Sequence, residues 1–311
     1  MPKALPKRFT DEAAARAHLE RLQWPEGPIC PHCATVDRAS AISGGRPGLW
    51  FCNACRKQFS ITVGTVFERS KVPLHTWLYA THLLCSSKKG ISSQQMARML
   101  GVTVKTAWFM SHRIRAAMAP LEGSEPPMGG DGFVVEADET ELAPSRKSRP
   151  RARAKNLKFV SLVERDGTVR SRRITGAKRS IKSELQDVLR ANVDPASTLH
   201  TDGAQHYEFT LAVDSHEAVN HNREFVRETE TGDKVHVNTA EGYFSIFKRG
   251  LVGTYQHMSE QHLARYLAEF DFRMSHRARL GYTDDMRTDV ALEGIAGKRL
   301  TYRRTVESRY S

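Results

Sequence analysis

Two pairs of cysteines with the same internal spacing lie near the N-terminus of this 311-residue chain. Cys30 and Cys33 form the first pair, in CPHC, and Cys52 and Cys55 form the second, in CNAC. Each pair can present two thiolates from one tight turn, and four thiolates complete the tetrahedral shell of a structural Zn²⁺ ion. The segment between the pairs is too short and polar to bury a core of its own, so the metal would stabilise it. The spacing therefore predicts a structural zinc site, because a redox-active CxxC pair would not need a second copy.

The charge balance of the chain favours a polyanionic partner. Lys and Arg number 47 and Asp and Glu 35, which gives a net charge of +12, and the isoelectric point is about 9.6. Such a balance is typical of nucleic-acid binding, although a merely soluble basic protein is the alternative. The sequence has no apolar run long enough to span a membrane and no secretory signal, so we expect a cytoplasmic protein without a membrane partner.

A helical region resembling a helix-turn-helix follows the cysteines. Residues 89–118 predict two short helices around LGVT, with Gly101 in the turn and Thr103 as N-cap of the second helix. A zinc ribbon beside such a region suggests DNA binding, and the alternative is an ordinary helical hairpin with solvated basic residues. The second helix would present to DNA the basic residues Lys105, His112, Arg113 and Arg115.

Carboxylates are concentrated in VVEADETEL, residues 134–142. On a strand, Glu136 and Asp138 point to one face and Glu139 to the other, so at most two of the four acids converge locally. A site for two divalent cations would need further acids from elsewhere in the chain. Taken singly, each such acid is more typical of a solvated loop or a helix N-terminus.

Two candidates could complete that site. Asp202 ends a short apolar strand in LHTDGAQHY, and Glu241 opens an amphipathic helix in NTAEGYFSIFKRG. Hard oxygen ligands suit Mg²⁺ or Mn²⁺, and two such ions can activate a nucleophile and steady the leaving oxygen in phosphoryl transfer. Lys248 lies seven residues after Glu241, on the same helix face, and could hold a DNA phosphate as a point charge.

A purely basic segment separates the acids of residues 134–142 from the next predicted strand. We expect residues 146–158 to track the DNA backbone, with an affinity that falls steeply as salt rises. The alternative is a basic run that remains disordered until DNA is present. The residues expected to contact DNA here are Arg146, Lys147, Arg149, Arg151, Arg153 and Lys155.

The order of predicted elements indicates an α/β fold with a mixed sheet. The Pro- and Gly-rich residues 123–132 mark a domain boundary. Strands at 132–138, 157–164 and 168–174 come first, and helices then alternate with short strands up to residue 278. The predicted domains are a helix and zinc ribbon at 1–68, a helical DNA-binding region at 69–122, a linker at 123–131, a catalytic domain at 132–285 and a C-terminal tail at 286–311.

Several motifs resemble the IS1595 (ISXO2-like) family of bacterial insertion-sequence transposases. They are CPHC, CNAC, EADET, TDGAQHY, AVNH, NTAEGYFSIFKRGLVGTYQHMS and HLARYLAEFDFR, and the resemblance runs from about residue 20 to 280. It implies a zinc ribbon followed by a DDE catalytic domain of the ribonuclease H-like fold. It also implies binding of double-stranded terminal inverted repeats, cleavage with two Mg²⁺ or Mn²⁺ ions, and joining of the freed ends to target DNA. Such a protein would work as at least a homodimer, in the bacterial cytoplasm at the nucleoid.

The resemblance also assigns individual acids. Asp138 of EADET matches the first acid and Asp202 of HTDGA the second. The third position is either Glu241 or Asn238, and we favour Glu241 because a carboxylate neutralises Mg²⁺ and a carboxamide does not. A lysine follows the third position in the family, which matches Lys248, and we expect Arg249 beside it to contact DNA as well.

The sequence departs mildly from the family pattern. VHVNT stands where His-Thr-Asn-Thr is usual, and Tyr243-Phe244 stands where Phe-Trp is usual. Neither change removes an acid. The alternative function is a non-catalytic zinc-ribbon regulator or an inactivated transposase, but an inactive descendant should have lost at least one acid. A repair nuclease on the same fold would differ only in its substrate.

Overall fold

A computed structural model describes residues 5–121, 123–142, 157–176, 180–204, 207, 212–219, 224, 226–230 and 232–301. The chain forms two compact units within these ranges. The first combines Met1–Ser87, Ile91–Ala119 and Asp284–Ser311, and the second combines Lys88–Gly90 and Pro120–Thr283. Among the described residues, no helix has both the length and the apolar character needed to cross a membrane.

A three-stranded antiparallel sheet surrounds the cysteines of the first unit. Its strands are β1 (Ala39–Ala41), β2 (Trp50–Cys52) and β3 (Gln58–Phe59), in that order. Beyond Phe59 the backbone turns, although residues 60–67 are rich in β-branched and aromatic side chains that favour strands. The hydroxyl of Thr65 donates to the Thr62 carbonyl at 2.8 Å, and such local side-chain bonds compete with strand pairing.

Four helices of the first unit follow the predicted pattern closely. They are α1 (Glu12–Gln23), α2 (Leu74–Ser86), α3 (Ser93–Leu100) and α4 (Val104–Met118). Gly101 adopts the left-handed conformation with φ of 65°, and the Thr103 side chain accepts the Thr106 N–H at 3.2 Å, so the predicted turn and N-cap are confirmed. Helix α1 is capped by Asp11, whose carboxylate accepts the Ala14 N–H at 2.7 Å.

The second unit contains a five-stranded mixed sheet in the order β6-β5-β4-β7-β8. The neighbours β4, β5 and β6 pair antiparallel, whereas β7 pairs parallel with both β4 and β8. The predicted mixed α/β arrangement is therefore confirmed. The strands are β4 (Val134–Leu142), β5 (Leu157–Glu164), β6 (Val169–Ile174), β7 (Thr198–Thr201) and β8 (Ser215–Ala218).

A two-stranded hairpin, β9 (Arg227–Glu228) with β10 (Lys234–Val235), also belongs to this unit and was not predicted. Its strands are two residues long, which leaves too little sequence for a strand pattern to be recognised. Of the segment that follows β7, residues 205–206 and 208–211 lie outside the described residues.

Alternate residues of the central strands bury against helices on the two faces of this sheet. Phe159 and Val163 of β5 pack in one cluster with α6 (Asn238–Gly250) and α7 (Leu263–Ser275). Val160 and Leu162 pack in another cluster with α5 (Ile181–Asn192). Strands covered on both faces give the sheet a rigid centre, and the acids of β4 lie on that centre.

The last described helix, α8 (Asp284–Glu293), is part of the first unit. Arg287 Nη1 donates to the Cys85 carbonyl of α2 at 2.8 Å, and Gln23 of α1 donates to the Leu292 carbonyl at 2.8 Å. The sequence predicted a tail from residue 286, and this segment instead begins as a helix that packs on α1 and α2. Its partners lie about 200 or more residues away in the chain, so local sequence could not reveal the contact.

Candidate metal centres and nucleic-acid interface

The four predicted zinc ligands converge in the first unit. The Sγ atoms of Cys30 and Cys55 lie 3.6 Å apart, those of Cys33 and Cys52 lie 3.7 Å apart, and all four lie within 4.8 Å of one another. A tetrahedral Zn²⁺ with Zn–S bonds of about 2.3 Å requires sulfur atoms roughly 3.8 Å apart. The four thiols are unbridged, so their separations fit a metal shell rather than disulfides.

Both cysteine pairs have the same backbone geometry. The residue after each pair, Ala34 or Arg56, has a positive φ of 57° or 61°. Its N–H donates to the carbonyl of the first cysteine, at 2.8 Å in one turn and 2.9 Å in the other. This shared left-handed turn directs both thiols of a pair to one point, and the four thiols make a possible zinc-binding site.

Helix α4 exposes less of its basic side chains than the sequence suggested. Lys105 is exposed, but Arg113 and Arg115 are only 9% and 1% exposed, and His112 is fully buried. The helix packs on α2, α3 and α8, which cover most of its surface. Arg115 is therefore buried and Arg113 nearly so, although α4 was expected to present both to DNA, and DNA contact at Lys105, Arg113 and Arg115 stays a prediction.

Arg113 instead lies in a groove of about 340 Å³ in the first unit. Its guanidinium stands 4.8 Å from the Phe109 ring centre and 5.9 Å from that of Trp77. No acid is among the lining residues, which include the cations Arg69, Lys71, Lys105 and Arg113. A groove lined by cations and aromatic rings suits a nucleic-acid strand, since phosphates meet the cations and bases can stack on the rings.

The register of the second sheet brings the first two predicted acids together. Strand β4 pairs parallel with β7, with Val134 opposite Thr198 and Glu136 opposite His200. Continued by two residues, the same register sets Asp138 beside Asp202, at the neighbouring-strand spacing of about 4.8 Å. Asp202 follows β7 directly, and its carboxylate accepts the Ala204 N–H at 3.0 Å, which holds the side chain at the strand end.

The surroundings of Asp138 are strongly anionic. Burial, followed by the charges of Asp202 and Glu139 and, more weakly, Glu241, raises the pKa of Asp138 to about 7. The charges that act most strongly on this carboxyl are all negative. A divalent cation would supply the opposite charge, and oxygen ligands of this kind suit Mg²⁺ or Mn²⁺.

The acids do not form a closed shell for one ion. Within the described ranges, the cysteines are the set that brings three or more potential ligand atoms within 4.8 Å of one another. A two-ion site instead needs pairs of acids, with water and substrate oxygens as the remaining ligands.

Helix α6 presents the third predicted acid. Its exposed face carries Asn238, Glu241, Ser245 and Lys248, and Arg249 is exposed beside them. Glu241 acts electrostatically on Asp138, so the two side chains belong to the same region of the second unit. The structure thus places Glu241 near the other two acids and keeps Lys248 on its solvent-facing side.

Buried hydrogen bonds attach α6 to the sheet behind this face. The Tyr243 hydroxyl donates to Asp271 of α7 at 2.6 Å, and the Ser171 hydroxyl of β6 donates to the same oxygen at 2.7 Å. Tyr243 stands where the resembled family usually has Phe, and Asp271 gives its additional hydroxyl a partner. The departure from the family pattern therefore leaves no unsatisfied polar group in the core.

Three contributors to the site were missed from sequence. The Tyr207 hydroxyl donates to Glu139 at 2.7 Å, on the sheet face opposite Asp138. Arg165 donates to Glu136 at 3.0 Å and to His200 Nδ1 at 3.1 Å. Burial and Arg165 lower the pKa of His200 to about 4, so its ring is neutral and can accept that bond. His200 and Tyr207 lie within LHTDGAQHY and Arg165 lies outside the quoted motifs, but none of the three was assigned a role because their roles depend on partners distant in the chain.

Most of the basic segment expected to contact DNA lies outside the described residues, whereas its last residue, Lys158, lies in β5 and pairs with Glu141. This applies to Arg146, Lys147, Arg149, Arg151, Arg153 and Lys155. Their predicted role therefore stays a prediction from sequence.

Comparison with known proteins identifies two transposase domains in the chain. The model of the ISXO2-like transposase domain matches residues 128–275, and that of the transposase zinc-ribbon domain matches residues 10–58. A protein of Halobacterium salinarum, described as an uncharacterized protein in transposable element ISH50, is 29% identical over 282 residues. The match covers 86% of this chain and 92% of that protein.

Proposed function

The chain belongs to the IS1595 family of transposases, whose two domain models together match more than half of its residues, and from that premise we propose that it moves a bacterial insertion sequence. It would bind the terminal inverted repeats, cleave the DNA strands and transfer the freed ends to target DNA. The observation that supports the proposal is the raised pKa of Asp138, which is caused by burial and then by the charges of Asp202, Glu139 and Glu241.

The strand order of the second unit supports a ribonuclease H-like assignment for the catalytic domain. Three antiparallel strands are followed by two parallel ones, and helices cover both faces of the sheet. In this arrangement Asp138 lies on the central strand, with Asp202 at the end of the adjacent one. A rigid sheet holding two acids suits a reaction that depends chiefly on positioning.

Asp138, Asp202 and Glu241 would hold the two Mg²⁺ or Mn²⁺ ions. When bound, the ions lower the barrier to phosphoryl displacement by stabilising the charge of the attacking and leaving oxygens. Lys248, exposed two turns along α6 from Glu241, would bind the DNA phosphate next to the cleaved bond. Asn238 would orient the ligands as a neutral neighbour.

The first unit, with its zinc ribbon and helical region, would bind the terminal inverted repeats. The four cysteines would hold a structural Zn²⁺, which fixes the ribbon. The cationic groove beside α4 supports DNA contact at Lys105, and Arg113 would reach a strand only from the bottom of that groove. Because both ends of an element must be cut together, the working complex would contain at least two copies of the chain.

A cleavage assay tests this function. The purified zinc-loaded protein is incubated with DNA carrying the element's inverted repeats, with and without Mg²⁺. We expect strand cleavage at the repeat ends that requires the metal and is abolished by Asp138→Asn. The control is Asp187→Asn, which changes an exposed acid on α5. Unimpaired cleavage by Asp138→Asn would remove the enzymatic assignment, and repeat binding without any cleavage would favour a non-catalytic regulator.

A further inference from the structure

The carboxylate of Glu136 connects the strand that bears Asp138 to the helix that bears Glu241. Glu136 is fully buried at the centre of the sheet, two residues before Asp138 and on the same face of β4. Its Oε2 accepts the N–H groups of Thr239 and Ala240 at 2.8 and 3.1 Å, and its Oε1 accepts the Thr239 hydroxyl at 2.9 Å. One side chain of the sheet thus satisfies two backbone donors in the first turn of α6.

Helix α6 has no N-cap of its own. Val237 occupies the capping position and offers no side-chain acceptor. The first N–H groups of a helix lack partners within it, and the helix dipole favours a negative charge at that end. The Glu136 carboxylate supplies both the acceptor and the charge from a residue 103 positions earlier in the chain.

A second set of bonds fixes Glu136 itself. Arg165 Nε donates to Glu136 Oε1 at 3.0 Å. The same guanidinium donates to the carbonyls of Lys234 and His236, at 3.0 and 3.2 Å, in the segment that leads into α6. The Glu136 carboxylate therefore has little freedom to move. The backbone before the start of α6 is hydrogen-bonded to it through Arg165, and the backbone after the start is hydrogen-bonded to it directly.

We infer that Glu136 is a positioning residue, which sets the separation of Asp138 and Glu241 by anchoring the first turn of α6 to β4. Glu241 follows Thr239 by two residues, only about 3 Å further along the helix axis. A shift of the first turn therefore moves Glu241 by nearly the same amount relative to Asp138. The inference rests on the proposed function, since it assigns Glu136 a role in placing the two acids that would hold the ions.

The test compares Mn²⁺ affinity in two backgrounds. Glu136→Gln keeps the shape of the side chain but replaces one acceptor oxygen with an NH₂ donor. Some of the N–H and O–H donors around residue 136 then lose their acceptor. In zinc-loaded protein we expect titration calorimetry to show Mn²⁺ binding weakened by about tenfold, as for other groups that orient metal ligands. In a Glu241→Gln background the same change should alter Mn²⁺ affinity by less than about twofold, because coupled residues are not additive.

A matched control separates positioning from general stability. Glu269 is also fully buried in the second unit and paired with an arginine, Arg273, but it lies on α7. Glu269→Gln should lower the melting temperature and leave Mn²⁺ affinity unchanged. If Glu136→Gln does not fold, Thr239→Val takes its place, because it removes only the hydroxyl contact to Glu136. Thr239→Ser should restore that contact.

Amide hydrogen exchange gives a readout that does not depend on metal. The Thr239 and Ala240 amides should exchange faster in Glu136→Gln and not in Glu269→Gln. Unchanged Mn²⁺ affinity in Glu136→Gln, or an equal loss in the Glu241→Gln background, would overturn the inference. Wild-type protein that binds no Mn²⁺ would instead remove the proposed function, and exchange would still decide whether Glu136 holds the first turn.

Discussion

The Asp138 carboxyl is partly buried on β4, and the charges that act on it most strongly are those of Asp202, Glu139 and Glu241. Without a cation these groups repel one another, and burial removes the water that would screen them. The folded protein therefore holds this acid in its charged form less easily than the unfolded chain does. A crowded set of acids of this kind is unfavourable for stability and favourable for binding metal.

This repulsion gives a pH-dependent prediction for Asp138→Asn. Burial and the neighbouring acids raise the pKa of Asp138 to about 7 in the folded protein, above its ordinary value of 3.8. The stability linked to this group is then fully present below pH 3.8 and is lost as the pH rises through about 7. Without Mg²⁺ or Mn²⁺, we expect the second unit of the wild-type protein to be a few kcal/mol less stable at pH 8 than that of Asp138→Asn. Near pH 3 the two should be equally stable.

Scanning calorimetry of zinc-loaded protein, with no Mg²⁺ or Mn²⁺ added, measures this difference. Asp138→Asn should melt at a higher temperature than wild type at about pH 8. Added Mn²⁺ should raise the melting temperature of the wild type and not that of the variant. A variant that melts at a lower temperature at that pH would contradict the electrostatic account of this residue.

A pair of substitutions distinguishes the candidates for the third ligand. Glu241→Gln removes a negative charge next to the ions and should reduce cleavage by about a hundredfold or more. Asn238→Ala removes a neutral group and should reduce it by about tenfold. Single-turnover cleavage rates at saturating Mg²⁺ measure both effects, and the opposite ranking would make Asn238 the ligand.

At the scale of elements, what could be read from sequence was mostly local. Gly101 and Thr103 were predicted correctly because a turn and a cap depend on residues within one helical turn. The shared face of Glu136 and Asp138 follows from strand alternation. The anchoring of α6 by Glu136 could not be predicted, since its partners lie 103 residues away. The burial of Arg115 likewise depends on three helices that meet only in the folded unit.

The zinc ribbon gives a prediction at the scale of one element. Its strands are two or three residues long and bury few side chains, so the metal must supply much of its stability. Cys33→Ser should reduce zinc content from one ion per chain to nearly none, measured by atomic absorption, and should unfold the ribbon. Cys85→Ala is the matched control, because Cys85 is buried on α2 outside the cluster and should leave zinc content unchanged. Full zinc occupancy in Cys33→Ser would show that another residue completes the site.

At the scale of the whole molecule, the candidate metal-binding acids and the cationic groove belong to different units. The acids that would hold metal lie in the second unit, whereas the cationic groove lies in the first. In sequence, the basic residues 146–155 lie between β4 and β5. This basic segment follows in sequence the strand that bears Asp138. We predict that it neutralises phosphates of DNA bound at the acids, which would offset the negative charge of the site.

Salt dependence of DNA binding tests that role of the basic segment. Replacing its six predicted contacts, Arg146, Lys147, Arg149, Arg151, Arg153 and Lys155, with glutamine removes six positive charges. Each phosphate contact contributes about −0.9 to the slope of log affinity against log salt, so the slope should become shallower by up to about five. Fluorescence anisotropy with a labelled repeat duplex across a salt series measures the change. A variant with the same residues in scrambled order keeps the charge and should keep the slope, whereas an unchanged slope in the glutamine variant would show that the segment does not bind the DNA backbone.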